Sequence, residues 1–241
     1  MKTLTDLNVK LFADGADLSD IVAMARNPLI KGFTTNPTLM RKANVDNYKE
    51  FALEVLKIVS DRPVSFEVFS DDFDVMEEQA LEIASWDENV YVKIPVTNTS
   101  GEFSGPLIEK LSRSGVQLNV TAMMTLEQVH ETANCLLPNT RAYVSVFAGR
   151  IADTGRDPVP IMAAAVELLR KHPDVELIWA SPRELLNIFQ ADEVGCHVIT
   201  ATKDVLAKLS LVGKDLLAYS LETVEMFHTD AKTAGYMIEP R

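Results

Sequence analysis

The chain has 241 residues, of which 47% are hydrophobic, and its 23 Lys+Arg against 35 Asp+Glu give a formal net charge of −12. This hydrophobic share supports a folded globular core, and the negative charge argues against nucleic acid or an anionic membrane as a partner. No window approaches the roughly 18 apolar residues of a membrane span, so we expect a cytoplasmic protein. Cys135 and Cys196 lie far apart in apolar contexts and are expected to be reduced thiols.

Short apolar runs alternate with amphipathic stretches along the whole chain. The runs lie at residues 9–14, 30–36, 63–69, 89–96, 115–121, 141–148, 175–181 and 196–202. Helical patterns between them include residues 47–60, 73–86, 125–137 and 157–172. Eight strand-like runs, each followed by a helix-like one, predict the α/β class and a (βα)8 TIM barrel, whose typical length is about 250 residues.

An open doubly wound sheet would fit the same alternation, but it usually has fewer strands and a glycine-rich phosphate turn. Neither GxGxxG nor GxxxxGK[ST] occurs in the sequence. We therefore favour the barrel, as a single domain over residues 1–241 in which the barrel itself occupies about 8–212. The tail at 215–241 contains LLAYSLETVEMF, which predicts one extra C-terminal helix packed on the barrel or on a neighbouring molecule.

The sequence contains no convincing metal site. The acidic residues Asp71, Asp72 and Asp74 come just before and within a helical pattern, where they suit the helix cap and the positive end of the helix dipole. A metal site there is the weaker interpretation, because no second set of ligands lies nearby. The four histidines have no HxH or HExxH spacing and are expected in the core or on the surface; they are His130, His172, His197 and His228.

The apolar runs carry polar residues at or near their C-terminal ends. These residues are Asp14, Asn36, Glu67, Lys93, Asn119, Thr121, Arg150, Ser181 and Arg183. In a TIM barrel these ends meet at one mouth, where active sites lie. Charges inside a barrel are costly unless they pair or function. A structural ion pair of Lys93 with Glu67 or Asp14 would be an alternative explanation for any one of these residues. It does not explain why so many of the runs carry polar residues at the same end.

Lys93 stands in the middle of an apolar strand pattern, VYVKIPVT at residues 90–97. A lysine amine shielded from water loses its proton more readily, and the neutral amine can attack a ketone. The product is a Schiff base, whose protonated nitrogen draws electrons from a neighbouring carbon–carbon bond. Lys93 is therefore predicted to be an imine-forming nucleophile that makes and breaks carbon–carbon bonds without a metal or other cofactor.

Several motifs in chain order resemble the transaldolase family. They are Gly32-Phe33-Thr34-Thr35-Asn36-Pro37-Thr38, Val92-Lys93-Ile94-Pro95-Val96-Thr97, Asn119-Val120-Thr121, Phe147-Ala148-Gly149-Arg150-Ile151 and Ala180-Ser181-Pro182-Arg183. The resemblance implies a class I, Schiff-base transaldolase of the small bacterial branch, which also includes fructose-6-phosphate aldolases. It implies sugar phosphates of the pentose phosphate pathway as substrates and a homo-oligomer, either a dimer or the pentamer or decamer of the small branch.

The resemblance also implies roles for individual residues. Lys93 would be the nucleophile, and Asp14 the general acid/base that takes the proton from the C4 hydroxyl and later returns it. Glu67 and Thr121 would hold and activate the water exchanged during imine formation and hydrolysis. The residues expected to contact the substrate are Thr35, Asn36, Asn119, Phe147, Arg150, Ser181 and Arg183. Of these, Asn36 and Asn119 would hydrogen-bond both the hydroxyls of the substrate and Lys93.

Within that set, Arg150, Ser181 and Arg183 would bind the sugar's phosphate, whose oxygens suit the arginine fork. Pro182 stands where the family commonly has an aromatic residue, so a shift of Arg183 is expected.

Two other functions compete with the transferase. One is an aldolase that releases free dihydroxyacetone; its branch has Gln and Tyr where this chain has Glu67 and Phe147, so the transferase is favoured. The other is a non-catalytic sugar-phosphate sensor, which would be expected to have lost Lys93 or Asp14.

Overall fold

The computed structural model describes residues 3–238, and within them eight parallel strands form a closed barrel in chain order, with β1 paired to β8. The strands are β1 Lys10–Asp14, β2 Ile30–Thr34, β3 Val64–Glu67, β4 Val90–Pro95, β5 Leu118–Met123, β6 Ala142–Val146, β7 Val175–Trp179 and β8 Val198–Thr202. Each strand overlaps one of the eight apolar runs. The predicted TIM barrel is confirmed.

Helices follow the strands along the chain. They are α1 Leu18–Ala25, α2 Pro37–Lys42, α3 Tyr48–Ile58, α4 Phe73–Ala84, α5 Gly105–Arg113, α6 Leu126–Cys135, α7 Ala148–Asp153, α8 Val159–Leu169, α9 Leu186–Glu193, α10 Lys203–Ala207 and α11 Leu216–Ala234. Short 3-10 turns lie at Leu4–Asp6 and Lys208–Leu211. None of these helices is long and apolar enough to cross a bilayer.

Side-chain caps begin several of the helices, as the sequence predicts at α4. The Asp72 carboxylate accepts hydrogen bonds from the backbone N–H groups of Asp74 and Val75, which have no partner within the first helical turn. Across residues 3–238, no group of three His, Cys, Asp or Glu residues is arranged to hold a metal ion.

Alternation along the strands divides the core into two layers. Outward-facing residues pack against the helices, and inward-facing residues fill the barrel. The lower half of the interior is an apolar cluster in which a Cβ on Gly32 would lie only 2.5 Å from the Phe12 ring, so only glycine fits beside that ring. The cluster consists of Phe12, Tyr91, Tyr143, Ile178, Ala180 and Val198. Two residues further along β1 and β4 come Asp14 and Lys93, so the polar layer lies above the apolar one, toward the C-terminal mouth.

The predicted C-terminal helix is present as α11, but none of its residues is buried. Leu217, Leu221, Val224 and Phe227 are between 59% and 82% exposed. The helix is therefore not buried against the barrel, and packing on a neighbouring molecule is the predicted alternative that remains. Residues 1–2 and 239–241 of the predicted domain and tail lie outside the described residues.

Candidate active site

Lys93 points into the barrel, and its side chain is only 7% exposed. The ammonium donates a hydrogen bond to the Thr35 backbone oxygen at 2.9 Å and lies 3.2 Å from Glu67 Oε2. Strand register sets this meeting, because Glu67 is paired with Lys93 across β3 and β4. This contact is the Lys93–Glu67 ion pair that the sequence analysis gave as the alternative to a catalytic role. It also places a proton acceptor directly beside a buried amine.

Glu67 is held in place by Tyr48 of α3. The Tyr48 hydroxyl donates to the Glu67 backbone oxygen at 2.7 Å and accepts from the Glu67 backbone N–H at 2.8 Å. The Tyr48 ring packs edge-on against Phe69 at 4.9 Å between centroids. This double hydrogen bond fixes the end of β3 and leaves the Glu67 carboxylate free to face Lys93.

Asp14 ends β1, which lies three strands away from β4 and Lys93 in the order of the barrel. Its Oδ1 accepts a 2.7 Å hydrogen bond from the Thr34 hydroxyl. Burial raises the pKa of Asp14 above its ordinary value; Lys93 and the Thr34 hydrogen bond oppose the rise, and the negative charge of Glu67 adds to it. The carboxylate is therefore a stronger base than an exposed aspartate, as a general base requires.

Asn119 and Thr121 come from β5. The Asn119 amide is fully buried, donating to Ser65 Oγ at 3.0 Å and accepting from Ser145 Oγ at 2.7 Å. Thr121 Oγ1 is also buried, and it makes no hydrogen bond to any described residue. Buried hydroxyls rarely stay unpartnered, so Thr121 is suited to bind a substrate group or water.

Asn36 differs from its predicted role in one respect. Its side-chain oxygen accepts from the Leu39 backbone N–H at 3.0 Å and so caps α2. One lone pair of the oxygen is thus used by the helix, and the backbone oxygen of Thr35 is what accepts the hydrogen bond from Lys93. The amide nitrogen of Asn36 and the second lone pair of its oxygen can still contact a substrate.

The predicted phosphate-binding residues meet at the ends of β6 and β7. Arg183 makes a two-pronged ion pair with Asp153, with Nε 2.9 Å from Oδ1, and its Nη1 donates to Ser181 Oγ at 3.0 Å. This pairing lowers the pKa of Asp153 and raises that of Arg183. Ser181 adopts a left-handed backbone conformation, with φ of 61°. A Cβ on Gly149 would lie 1.6 Å from the Ser181 backbone oxygen, so α7 and the loop after β7 approach closely only because residue 149 is glycine.

Arg150 and Phe147 complete the same side of the mouth. The Arg150 guanidinium lies 5.6 Å from the centroid of the Phe147 ring, within cation–π distance. Phe147 packs against the inner apolar cluster. Arg150 is exposed and, within residues 3–238, forms no ion pair like that of Arg183, so it can turn toward an anion at little cost.

Sequence reasoning missed several polar residues that support the predicted ones. Most of them face the barrel interior. Inward-facing residues recur at every second position of a strand, so counting back two residues from Glu67, from Phe147 and from the end of β8 could have found Ser65, Ser145 and Thr200. Asp153 had no such signal, because it lies one helical turn after the predicted arginine on α7. The missed residues are Thr34, Tyr48, Ser65, Ser145, Asp153 and Thr200.

A separate cavity of about 670 Å³ lies at the opposite mouth of the barrel. It is lined by residues at the strand starts, among them Lys10, Tyr91, Tyr143 and Glu176. Lys10 and Glu176 form an ion pair at 2.5 Å there, which uses both charges. The buried amine, the raised carboxyl pKa and the paired arginine all lie at the C-terminal mouth, so we place the candidate active site there.

Several solved structures share the fold of this chain. A 3-keto-L-gulonate-6-phosphate decarboxylase from Vibrio cholerae aligns over 82% of this chain and 88% of its own, with a TM-score of 0.54 and 11% identity. A putative lyase/mutase from Burkholderia cenocepacia aligns over 95% and 86%, with a TM-score of 0.59 and 12% identity. At these identities the likeness concerns the fold alone.

Sequence similarity defines the family. Residues 11–239 match the family described as transaldolase/fructose-6-phosphate aldolase. A probable transaldolase from Thermoanaerobacter is 32% identical over 231 residues, covering 95% of this chain and 100% of the relative. A probable transaldolase from Dehalococcoides mccartyi is 32% identical over 202 residues, covering 83% and 90%. The chain belongs to the transaldolase/fructose-6-phosphate aldolase family, which confirms the resemblance seen in its motifs and supports an aldolase-type function.

Proposed function

We propose that the chain is a transaldolase, which moves a three-carbon dihydroxyacetone unit from a ketose phosphate to an aldose phosphate through a Schiff base on Lys93. Fructose 6-phosphate and sedoheptulose 7-phosphate are the proposed donors. The observation that carries the proposal is a buried lysine amine 3.2 Å from Glu67, in a barrel mouth that also holds Asp14.

The reaction begins with the amine of Lys93. Glu67 lies close enough to take a proton from the ammonium, and the neutral amine adds to the ketone carbon. Loss of water then gives the protonated imine. The unpartnered hydroxyl of Thr121 supports the proposal that Thr121 and Glu67 hold the departing water, which later returns to hydrolyse the imine.

Carbon–carbon cleavage follows. Asp14 accepts the proton of the C4 hydroxyl, the C3–C4 bonding electrons move to the iminium, and an aldehyde leaves while an enamine stays on Lys93. An acceptor aldehyde reverses these steps, and Asp14 returns the proton to the new hydroxyl. The raised pKa of Asp14 suits both cleavage and condensation, because it reduces the difference in pKa between the carboxyl and the hydroxyl groups with which it exchanges the proton.

The phosphate would bind among Ser181, Arg183 and Arg150. Arg183 is already oriented by Asp153 and Ser181, which each accept one N–H from its Nη groups and leave the second N–H of each group to bind the anion. Arg150 can swing in from the Phe147 ring. Two local arginines explain how a chain of net charge −12 would attract an anionic sugar.

The alternative within the family is an aldolase that releases free dihydroxyacetone. Release requires a proton to reach the enamine carbon before an acceptor aldehyde does. Phe147 has no hydroxyl with which to donate a proton or hold a water, and the Glu67 side chain is an acceptor when ionised. These two residues favour transfer over release.

The test is incubation with fructose 6-phosphate, with and without erythrose 4-phosphate, while glyceraldehyde 3-phosphate is assayed. We expect release to depend on the acceptor. Phe147→Tyr, alone or with Glu67→Gln, is expected to raise acceptor-independent formation of dihydroxyacetone. Acceptor-independent release by the wild type at the rate of transfer would identify an aldolase, and binding of sugar phosphate without turnover would identify a sensor.

We further propose a homo-oligomer and a cytoplasmic location. The exposed apolar residues of α11 support packing against a second copy of the chain. Cys135 and Cys196 are both free thiols, as is usual in a reducing compartment.

A further inference from the structure

Two threonines form a chain of hydrogen bonds that ends on Asp14. Thr34 Oγ1 donates to Asp14 Oδ1 at 2.7 Å, and Thr34 Oγ1 and Thr200 Oγ1 lie 2.6 Å apart. Both threonines are buried, at 2% and 6% exposure. The chain joins β1, β2 and β8, and neither threonine was predicted to belong to the site.

The direction of this chain follows from the number of protons. A threonine hydroxyl has one proton to donate, and Thr34 uses its own on the Asp14 carboxylate. The 2.6 Å contact must then be donated by Thr200. While Asp14 is ionised, both hydroxyl protons point along one line toward Oδ1, and each bond polarises the next.

We propose that Thr200 is a positioning residue for the general base: through Thr34 it keeps Oδ1 of Asp14 as a hydrogen-bond acceptor, so that Oδ2 is the oxygen that exchanges the substrate's proton. A proton on Oδ1 would require both hydroxyls to turn, and Thr200 would then need a different acceptor. The inference rests on the proposed role of Asp14 in the reaction.

The charged groups that face Asp14 from the neighbouring strands are Lys93 and Glu67. The Thr34 hydrogen bond and Lys93 favour the ionised carboxylate, whereas burial and Glu67 oppose it. Removing the Thr200 hydroxyl weakens the hydrogen bond from Thr34 without touching either charge. The change should therefore shift the ionisation of Asp14 and leave imine formation at Lys93 intact.

The experiment measures the pKa of Asp14 by carbon-13 carboxyl NMR in the full-length protein, with Asp14→Asn to assign the signal. One hydrogen bond to a carboxylate corresponds to a factor of roughly 2 to 10 in its ionisation equilibrium. Thr200→Val weakens that bond by about 10 to 30% rather than removing it, so we expect it to raise the pKa of Asp14 by about 0.1 to 0.3 unit and to move the acid limb of the kcat/KM profile by the same amount. Thr200→Ser should restore wild-type values.

Two further variants separate the hydroxyl from packing. Thr200→Ala removes the hydroxyl from a smaller side chain and should shift the pKa as Thr200→Val does, which keeps the test available if the valine variant folds poorly. Thr132→Val removes another buried threonine hydroxyl, one that contacts Met123 Sδ from α6, and should leave the titration unchanged.

The inference is overturned if Asp14 keeps its wild-type pKa in Thr200→Val and Thr200→Ala. It is also overturned if Thr200→Ser shifts the pKa as much as Thr200→Val does. The titration needs no turnover, so it separates this inference from the proposed function. A shifted pKa in a protein that forms no imine would support the threonine chain and reject the transaldolase.

Discussion

Replacing Lys93 by methionine tests the chemistry and the ion pair together. Methionine matches the lysine side chain as far as Cε but removes the amine that contacts Thr35 at 2.9 Å and Glu67 at 3.2 Å. Losing one partner of a buried ion pair costs about 3 to 5 kcal/mol. Glu67 is 18% exposed, so water reaches it in part, and we expect the lower end. For a chain of this size, about 3 kcal/mol lowers Tm by roughly 6 to 12 °C.

A second substitution separates stability from catalysis. Adding Glu67→Gln to Lys93→Met removes the unpaired charge, so most of the lost stability should return while activity stays absent. Lys49→Met is the control, because Lys49 pairs with Glu82 on the surface and is 58% exposed. That variant should unfold at nearly the same urea concentration as wild type, because exposed ion pairs contribute little to stability, and it should retain full activity.

The assays are urea unfolding and borohydride reduction with fructose 6-phosphate, followed by peptide mapping. We expect one reduced adduct in wild type and in Lys49→Met, located on Lys93, and none in Lys93→Met. An adduct on another lysine, or transfer activity in Lys93→Met, would refute the imine mechanism. Unchanged unfolding of Lys93→Met would show that the ion pair contributes nothing to stability.

Three other perturbations test separate parts of the structure. Burial raises the pKa of Asp14 in the folded protein, so the ionised carboxylate destabilises the fold at pH values above that pKa. Below the ordinary pKa of 3.8 the carboxyl is protonated in the folded and the unfolded protein alike, and the destabilisation is absent. Asp14→Asn should therefore be more stable than wild type at pH 8 but not below about pH 4, while cleavage falls by about two to four orders of magnitude. Gly149→Ala places a Cβ 1.6 Å from the Ser181 oxygen, so we expect about 1 to 3 kcal/mol of destabilisation and a raised KM for phosphorylated donors, whereas Gly15→Ala has open space and should change stability little. Leu217 on α11 is 82% exposed in the single chain, and Leu217→Glu should shift the protein to smaller species in sedimentation without unfolding the barrel.

Each of these has a contrary outcome. A less stable Asp14→Asn at pH 8 would mean that the electrostatic attraction of Lys93 outweighs burial in the folded state. Equal KM increases for phosphorylated and non-phosphorylated donors in Gly149→Ala would show that the phosphate does not bind beside Ser181 and Arg183. A wild-type protein that sediments as a monomer would reject the oligomer.

The barrel was predictable because its signals are local. Runs of β-branched and apolar residues alternating with helical patterns mark strands and helices without knowledge of any long-range contact. The chain order of a (βα)8 unit then places the strand ends at one mouth. Lys93 was predictable for the same reason, because a charged residue inside an apolar strand pattern stands out in the sequence alone.

The partners of those residues were decided by the tertiary structure. Thr34 and Thr200 are separated by 166 residues, and their contact exists only because closing the barrel brings β8 beside β1. Asn36 shows the converse, since its oxygen is used by a local helix cap. Asp153 could not be assigned to Arg183 from spacing, because the approach of α7 to the loop that carries Arg183 depends on the missing Cβ of Gly149. Residue types and strand order are written along the chain, whereas hydrogen-bond direction and charge pairing depend on side chains that meet only when the barrel closes.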